Sequence, residues 1–425
     1  MRWARVAGRT LLVSALLLTG YASAGARAAD GPPGTTGRGP VTLATGRDLT
    51  GYLQHVLDGW NRAHPLEKAT LVELPEAADE VRAQMADSLR SGSDRFDVLN
   101  IDVAWTSEFA GAGWIAPVDP RGLPMDRLLD SVKGTATFRG RLYAVPYVTN
   151  AGLLYYRRDI LDRERLQPPR TWAELERQAK TLAPKYRIGG YAGQFLPYEG
   201  LTVNVTEAVQ SAGGGILGGE GSRVTVDSAA AREGLGFLVR GVREGWIPRE
   251  ALRFKEEESR RAFQDGRLLF LRNWPYVYDL ASAPDSQVAG RFAAVPLPGP
   301  GGPGAGVLGG SNLAVNAHSR HPRTAADLMA YMTGESVQRQ VLTEGSLPPV
   351  WADLYRDPGL VRRYPYLPVL EQSLKAARPR PKSARYEQVS LAVAAVSRDA
   401  LALHTTPDEA VARLDRELRE IVRDR

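Results

Sequence analysis

Residues 70–102, TLVELPEAADEVRAQMADSLRSGSDRFDVLNID, set the fold class. Thr70 to Leu74 alternates as a strand. Val81, Met85 and Leu89 recur at helical spacing and stop at Gly92, and Phe96 to Ile101 is a second short apolar strand ending at Asp102. One strand precedes this unit, Val41 to Ala44. A helix whose apolar face is Leu53, Val56, Leu57 and Trp60 follows it. Strand and helix taking turns in this way predict a parallel sheet covered by helices on both faces.

Further along, Leu142 to Val148 and Gly152 to Tyr156 read as strands around a break at Thr149-Asn150. Thr171 and Glu174 form a capping box that opens a helix running to about Leu182. Glu256 to Asp265 is a polar helix stopped by Gly266, and Leu268 to Arg272 is the strand after it. A second capping box, Thr406 with Glu409, has Pro407 at the first helical position. It starts a last helix with Val411, Leu414, Leu418 and Val422 on its apolar face. Residues 296–310, PLPGPGGPGAGVLGG, contain too much Gly and Pro for a regular element. They predict a loop near a crossing between lobes.

The N-terminus reads as an export signal. Arg2, Arg5 and Arg9 precede the apolar run Leu11 to Leu18, and Ala26-Arg27-Ala28 suits cleavage after Ala28, giving a signal peptide over 1–28. The run is shorter than a membrane span. Leu18-Thr19-Gly20-Tyr21 resembles a lipoprotein signal in which Tyr21 replaces the acylated Cys. Residues 29–40 read as a disordered leader. The chain carries 54 basic and 48 acidic side chains and no Cys. Without Arg2, Arg5, Arg9 and Arg27 the balance falls to 50 against 48, so nucleic-acid binding has little support. The missing Cys excludes disulfides and thiol catalysis. About 385 residues after the leader predict two lobes rather than one core.

Catalytic motifs are sparse. His318 and His321 are neighbours in a polar loop with no carboxylate between them, which argues for solvated histidines over a metal pair. No serine-hydrolase elbow is present. A pair of carboxylates across a cleft could still serve a secreted glycoside hydrolase. Binding chemistry is better represented. Sugars take flat aromatic faces together with charged or amide groups for their hydroxyls, and doubly wound sheets place ligands at the turns after strands. Asp102 and Trp105, Asn150, Tyr198-Glu199, the turn Trp274-Pro275-Tyr276 and Arg385-Tyr386 all fit that pattern. Each has a plain alternative. Asp102 could cap a helix, Trp274 could be core, Glu256 to Glu258 could be a solvated helix face, and Arg385 could be a surface charge like Arg378 and Arg380.

Taken in order, the segments FDVLNIDVAWTSEFAGAGWIAPVD, LYAVPYVTNAGLLYYRRDIL and PRTWAELERQAK resemble the sugar-binding proteins of bacterial ABC importers, relatives of maltodextrin-binding protein. YAGQFLPYEGLTVNVTEAVQSAGG, KEEESRRAFQDGRLLFLRNWPYVY, GVLGGSNLAV and ARYEQVS are similar to its trehalose/maltose-binding branch. The resemblance implies a two-lobed α/β periplasmic-binding-protein-like fold of type II with a hinge between lobes. The lobes would be 40–146 plus 303–348 and 147–302 plus 349–425. It implies ligand contacts at Arg82, Asp102, Asn150, Glu256, Trp274 and Arg385, with Glu199, Tyr276, Asn312 and Tyr386 beside them. The expected ligand is a disaccharide such as trehalose or maltose, or another oligosaccharide or polyol on the same fold. The expected partners are ABC permease subunits with their ATPase. The resemblance also implies an exported monomer that is not an enzyme and uses no cofactor or metal. Ser311 follows Gly309-Gly310 where an aromatic is frequent in the family, which removes one stacking surface.

Overall fold

The strand–helix–strand unit forms where the sequence places it, as Ala69–Leu74, Ala78–Arg90 and Val98–Asp102. The structure is a computed structural model that describes residues 37–48 and 50–423. The expected signal peptide and most of the expected leader therefore lie outside the described residues. The leader's last residues do not read as disordered. Arg38 pairs with Glu67 and Asp327, and the Gly39 N–H donates to the Thr324 hydroxyl.

Two sheets organise the described chain. The first has the order Ala69–Leu74, Val41–Gly46, Val98–Asp102, Leu308–Val315, Val145–Ala151. Its first three strands are parallel, and Leu308–Val315 runs against both of its neighbours. Helix Tyr52–Ala63 covers one face through Leu53, Val56, Leu57 and Trp60, all buried. Val81, Met85 and Leu89 cover the other face with Phe109. Burying each such side chain stabilises by about 1.5–3 kcal/mol, so the apolar spacing in the sequence translates directly into two packed layers.

The second sheet has the order Phe292–Pro296, Leu153–Arg157, Leu268–Asn273, Gly189–Ala192. Helices Trp172–Tyr186, Glu199–Ser211 and Ala229–Arg243 pack on it, and the C-terminal helices Tyr386–Leu401 and Pro407–Arg423 pack on those. Both capping boxes form. The Glu174 N–H donates to Thr171 at 3.2 Å, and the Glu409 N–H donates to Thr406 at 3.3 Å. The first of these helices runs past Leu182 to Tyr186, with Pro184 inside its last turn, and ends at Arg187 in a left-handed conformation. We call the parts built on the two sheets the first and second lobes.

The chain passes between the sheets at points the sequence located only approximately. No break falls at Thr149-Asn150, because both belong to the strand Val145–Ala151 and Asn150 pairs with Gly309. The break is Gly152. A β-carbon there would come within 2.5 Å of the Glu207 carboxylate and 2.8 Å of the Arg272 guanidinium. The Gly/Pro-rich stretch is a loop only up to Val307. Leu308, Gly309 and Gly310 already belong to a strand, with Gly310 at φ +106°. This second passage lies beside Arg378, since the Leu308 N–H donates to the Arg378 carbonyl and the Arg378 N–H to that of Gly306.

Beneath both passages lies a buried ion pair. Arg272 meets Glu207 through two bonds of 2.6 Å, and Glu207 also accepts from the Val307 N–H at 3.2 Å.

Candidate functional site

Where the ends of both sheets face each other, two chambers join through Tyr52, Ala78, Asn100, Tyr198, Glu256 and Leu347. The inner chamber has a volume of about 280 Å³ and the outer about 670 Å³. Asp102 reaches the inner chamber because it ends the strand Val98–Asp102, and Asn150 because it nearly ends Val145–Ala151. From the second lobe, Glu199 starts helix Glu199–Ser211, Glu256 starts Glu256–Gln264, and Trp274 follows the strand Leu268–Asn273. All five line the inner chamber. Doubly wound sheets put ligand sites at such strand and helix ends.

Trp274 is held rather than merely placed. Its ring lies over the Arg272 guanidinium, 4.1 Å from the ring centroid, and its carbonyl accepts from the Tyr155 hydroxyl at 2.9 Å. Its edge lies against Gly309. A β-carbon at 309 would stand 2.9 Å from the ring and 3.3 Å from Asn150 Cβ. Gly309→Ala should therefore push the indole aside. Ligand affinity should fall about tenfold, on the order of 1.4 kcal/mol, with circular dichroism and melting temperature little changed. Titration calorimetry on the variant reads this directly.

A charged cluster lines one side of the inner chamber. Arg380 is buried and pairs with Asp102 from the first lobe and with Glu199 at 2.6 Å from the second. Glu199 also accepts from the Tyr386 and Ser390 hydroxyls, each at 2.5 Å. Burial raises the Asp102 carboxyl above its ordinary pKa and Glu199 adds to this, while Arg380 and the Ala104 N–H oppose it. Burial alone would lower Arg380. Asp102, Tyr386 and Glu199 outweigh that and raise it, so the guanidinium stays charged. Tyr198, pushed well up by burial and by Glu256, donates to Glu256 at 2.5 Å.

The other expected contacts fall elsewhere. Arg82 is buried, but its guanidinium is committed to Glu108 and, at 2.6 Å, to Glu387. It lines a third space of about 60 Å³ together with Tyr386, a space that shares Tyr198 and Glu199 with the inner chamber. Tyr276 lines the outer chamber and donates to Glu257 at 2.8 Å. Asn312 lines neither chamber. Its amide donates to Thr106 at 3.0 Å and to the Thr135 carbonyl at 3.2 Å. Arg385 also lies outside the chambers and donates to the Ile421 carbonyl at 3.3 Å. The cation lining the inner chamber is Arg380, buried rather than the surface charge its Pro- and Arg-rich segment suggests. Trp105 is core, whereas Ser311 lines the inner chamber. Among the described residues no group of His, Cys, Asp and Glu is placed to hold a metal ion.

The family model for bacterial extracellular solute-binding proteins matches residues 45–339. The chain belongs to that family. It is 32% identical over 365 residues to a probable ABC transporter-binding protein of Deinococcus radiodurans, spanning 83% of this chain and 86% of that one. Among solved structures, maltose-bound T. maritima MalE3 superposes with a TM-score of 0.83 at 30% identity, over 90% of this chain and 99% of that one. The GacH receptor of Streptomyces glaucescens, solved unliganded and with acarbose, superposes with a TM-score of 0.79 at 22% identity, over 91% and 99%. The two-lobed α/β architecture expected from the sequence is therefore that of the family. Within this solute-binding fold, the missed signal for Arg380 lies in its neighbourhood. Arg378, Arg380 and Arg385 are three arginines in one Pro-rich segment, and no periodicity separates the buried one from the others.

Proposed function

We propose that this solute-binding protein is the exported receptor of an ABC sugar importer, capturing a disaccharide such as trehalose or maltose between its lobes. The observation that carries this reading is the inner chamber. It sets a restrained indole beside Asp102, Glu199 and Glu256, an aromatic face next to charged hydrogen-bonding groups. In this reading Trp274 stacks on one ring, and Asp102, Asn150 and Glu256 take hydroxyls. Arg380 and Glu199 line one side of the site. Contacts from both lobes strengthen as the lobes close, so the sugar stabilises the closed form by its differential affinity. The closed protein then docks on the permease subunits, and their ATPase drives release. Arg82 and Tyr386 act one step back from the sugar, Tyr386 by holding Glu199. Binding of maltose by the T. maritima protein supports the ligand class.

A receptor binds without turnover. Incubation with trehalose or maltose should yield no glucose while calorimetry registers binding. Steady glucose release would replace this reading with the glycoside-hydrolase one.

A further inference from the structure

The facing surfaces of the two lobes are short of cations. Asp79, Asp102 and Glu108 belong to the first lobe and Glu199, Glu256 and Glu387 to the second, with Arg82, Lys255 and Arg380 among them. Each guanidinium already serves two carboxylates, Arg82 those of Glu108 and Glu387, and Arg380 those of Asp102 and Glu199. The Lys255 ammonium lies 5.4 Å from the centroid of the Tyr198 ring, whose hydroxyl donates to Glu256. Asp79 is left over. It stands in the first turn of helix Ala78–Arg90 and lines neither ligand chamber. Among the described residues no cation forms an ion pair with it. Its carboxylate accepts the Glu199 N–H from the second lobe, and it shares the space of about 60 Å³ with Glu199, Glu387 and Arg82.

Like charges held this close in a half-buried place repel more strongly than in water. Burial, Glu199 and Glu256 together raise the Asp79 carboxyl above its ordinary range, while the Glu199 N–H and Lys255 oppose them. Tyr198 and Tyr386 line the same space, and burial holds both hydroxyls far above neutral pH, so neither adds a charge. Separation of the lobes returns Asp79 to water and takes Glu199 and Glu256 away from it. The closed form therefore holds a proton there more tightly than the open form, and by linkage a proton favours closing. We propose that closure of the lobes takes up a proton on Asp79, so that ligand capture strengthens as the pH falls. This rests on closure around a ligand and not on which ligand it is. Affinity should rise as the pH falls through the raised range of the closed form, and level off below the ordinary aspartate value of about 4.

The test is titration calorimetry with maltose at about pH 5, in two buffers of different ionisation enthalpy, acetate and MES, on the purified protein and on Asp79→Asn. The difference in heat between buffers gives the protons taken up, expected at roughly 0.2 or more per sugar bound. Asp79→Asn keeps an oxygen for the Glu199 N–H but carries no charge, so it imitates the protonated form. Its uptake should fall by at least about half, and at about pH 7 it should bind maltose roughly threefold or more tightly than the parent. Equal heats in both buffers would overturn the proposal and leave the sugar receptor standing. So would a variant that keeps the full uptake, or one that binds maltose more weakly at pH 7 while its melting curve shows it folded. Absence of heat with maltose in either buffer would count against the sugar reading alone, and small-angle scattering without ligand then decides. The radius of gyration should fall between about pH 7 and about pH 5 in the parent and already be low at pH 7 in Asp79→Asn. The same pH dependence in both proteins would overturn the proposal.

Discussion

Trp274→Ala should weaken binding of the preferred sugar by about 30- to 1000-fold, or roughly 2–4 kcal/mol, the range for a central aromatic anchor. The ring lines the inner chamber and rests on Arg272, so its truncation removes the stacking face and uncovers a buried guanidinium. Two controls separate these effects. Trp274→Phe keeps a flat face and should recover most of the affinity. Trp274→Leu keeps the cover over Arg272 without the stacking and should recover little. Calorimetry gives the affinities and thermal melts give the stability. Affinity unchanged in Trp274→Ala would remove the indole from the site.

Arg272→Ala should destabilise the second lobe by about 3–5 kcal/mol, the cost of leaving one partner of a buried pair alone. Glu207 is left with the Val307 N–H as its remaining strong partner, among residues that are almost fully buried. At roughly 2–4 °C per kcal/mol, the apparent melting temperature should fall by on the order of 6–20 °C. Replacing both partners, as Arg272→Met with Glu207→Leu, should return part of the stability, because no buried charge is then stranded. That double variant should still bind sugar poorly, since the guanidinium under Trp274 is gone. Melts and calorimetry on the same samples test both halves. A melting temperature unchanged in Arg272→Ala would mean that the pair contributes nothing beneath the hinge.

Most of the architecture was legible because it is written in apolar spacing. Leu53, Val56, Leu57 and Trp60, and then Val81, Met85 and Leu89, sit one helical turn apart and are buried as that spacing requires. The breaks were less legible. Thr149-Asn150 carries turn-forming residue types, yet both lie in a strand, and the chain changes sheets at Gly152, where Glu207 and Arg272 leave no room for a β-carbon. That crowding comes from residues more than fifty positions away, which local composition does not register. The same holds for Gly309, which lies against Trp274, and Gly310, which lies against Val148 and Thr149; both are strand residues rather than loop.

The candidate site divides along similar lines. Asp102, Asn150, Glu199, Glu256 and Trp274 lie near strand or helix ends that pattern reading could locate, and the fold brings them to one chamber. Asn312 fails for a reason visible in its strand. Side chains alternate along Leu308–Val315, so with Ser311 lining the chamber Asn312 points the other way, into contact with Thr106 and Thr135. Arg380 was missed because its burial depends on Asp102 and Glu199, which come from different lobes. Only the folded chain brings those three together.

The most direct measurement of the central claim is a thermal-shift panel on the purified protein, covering trehalose, maltose, maltotriose, polyols, amino acids and short peptides. A ligand at a hundred times its Kd adds about 2.7 kcal/mol to the folded state. At the sensitivity used above, this predicts a rise on the order of 5–10 °C with at least one neutral sugar. A rise with an amino acid or a peptide, and none with any sugar or polyol, would contradict the account.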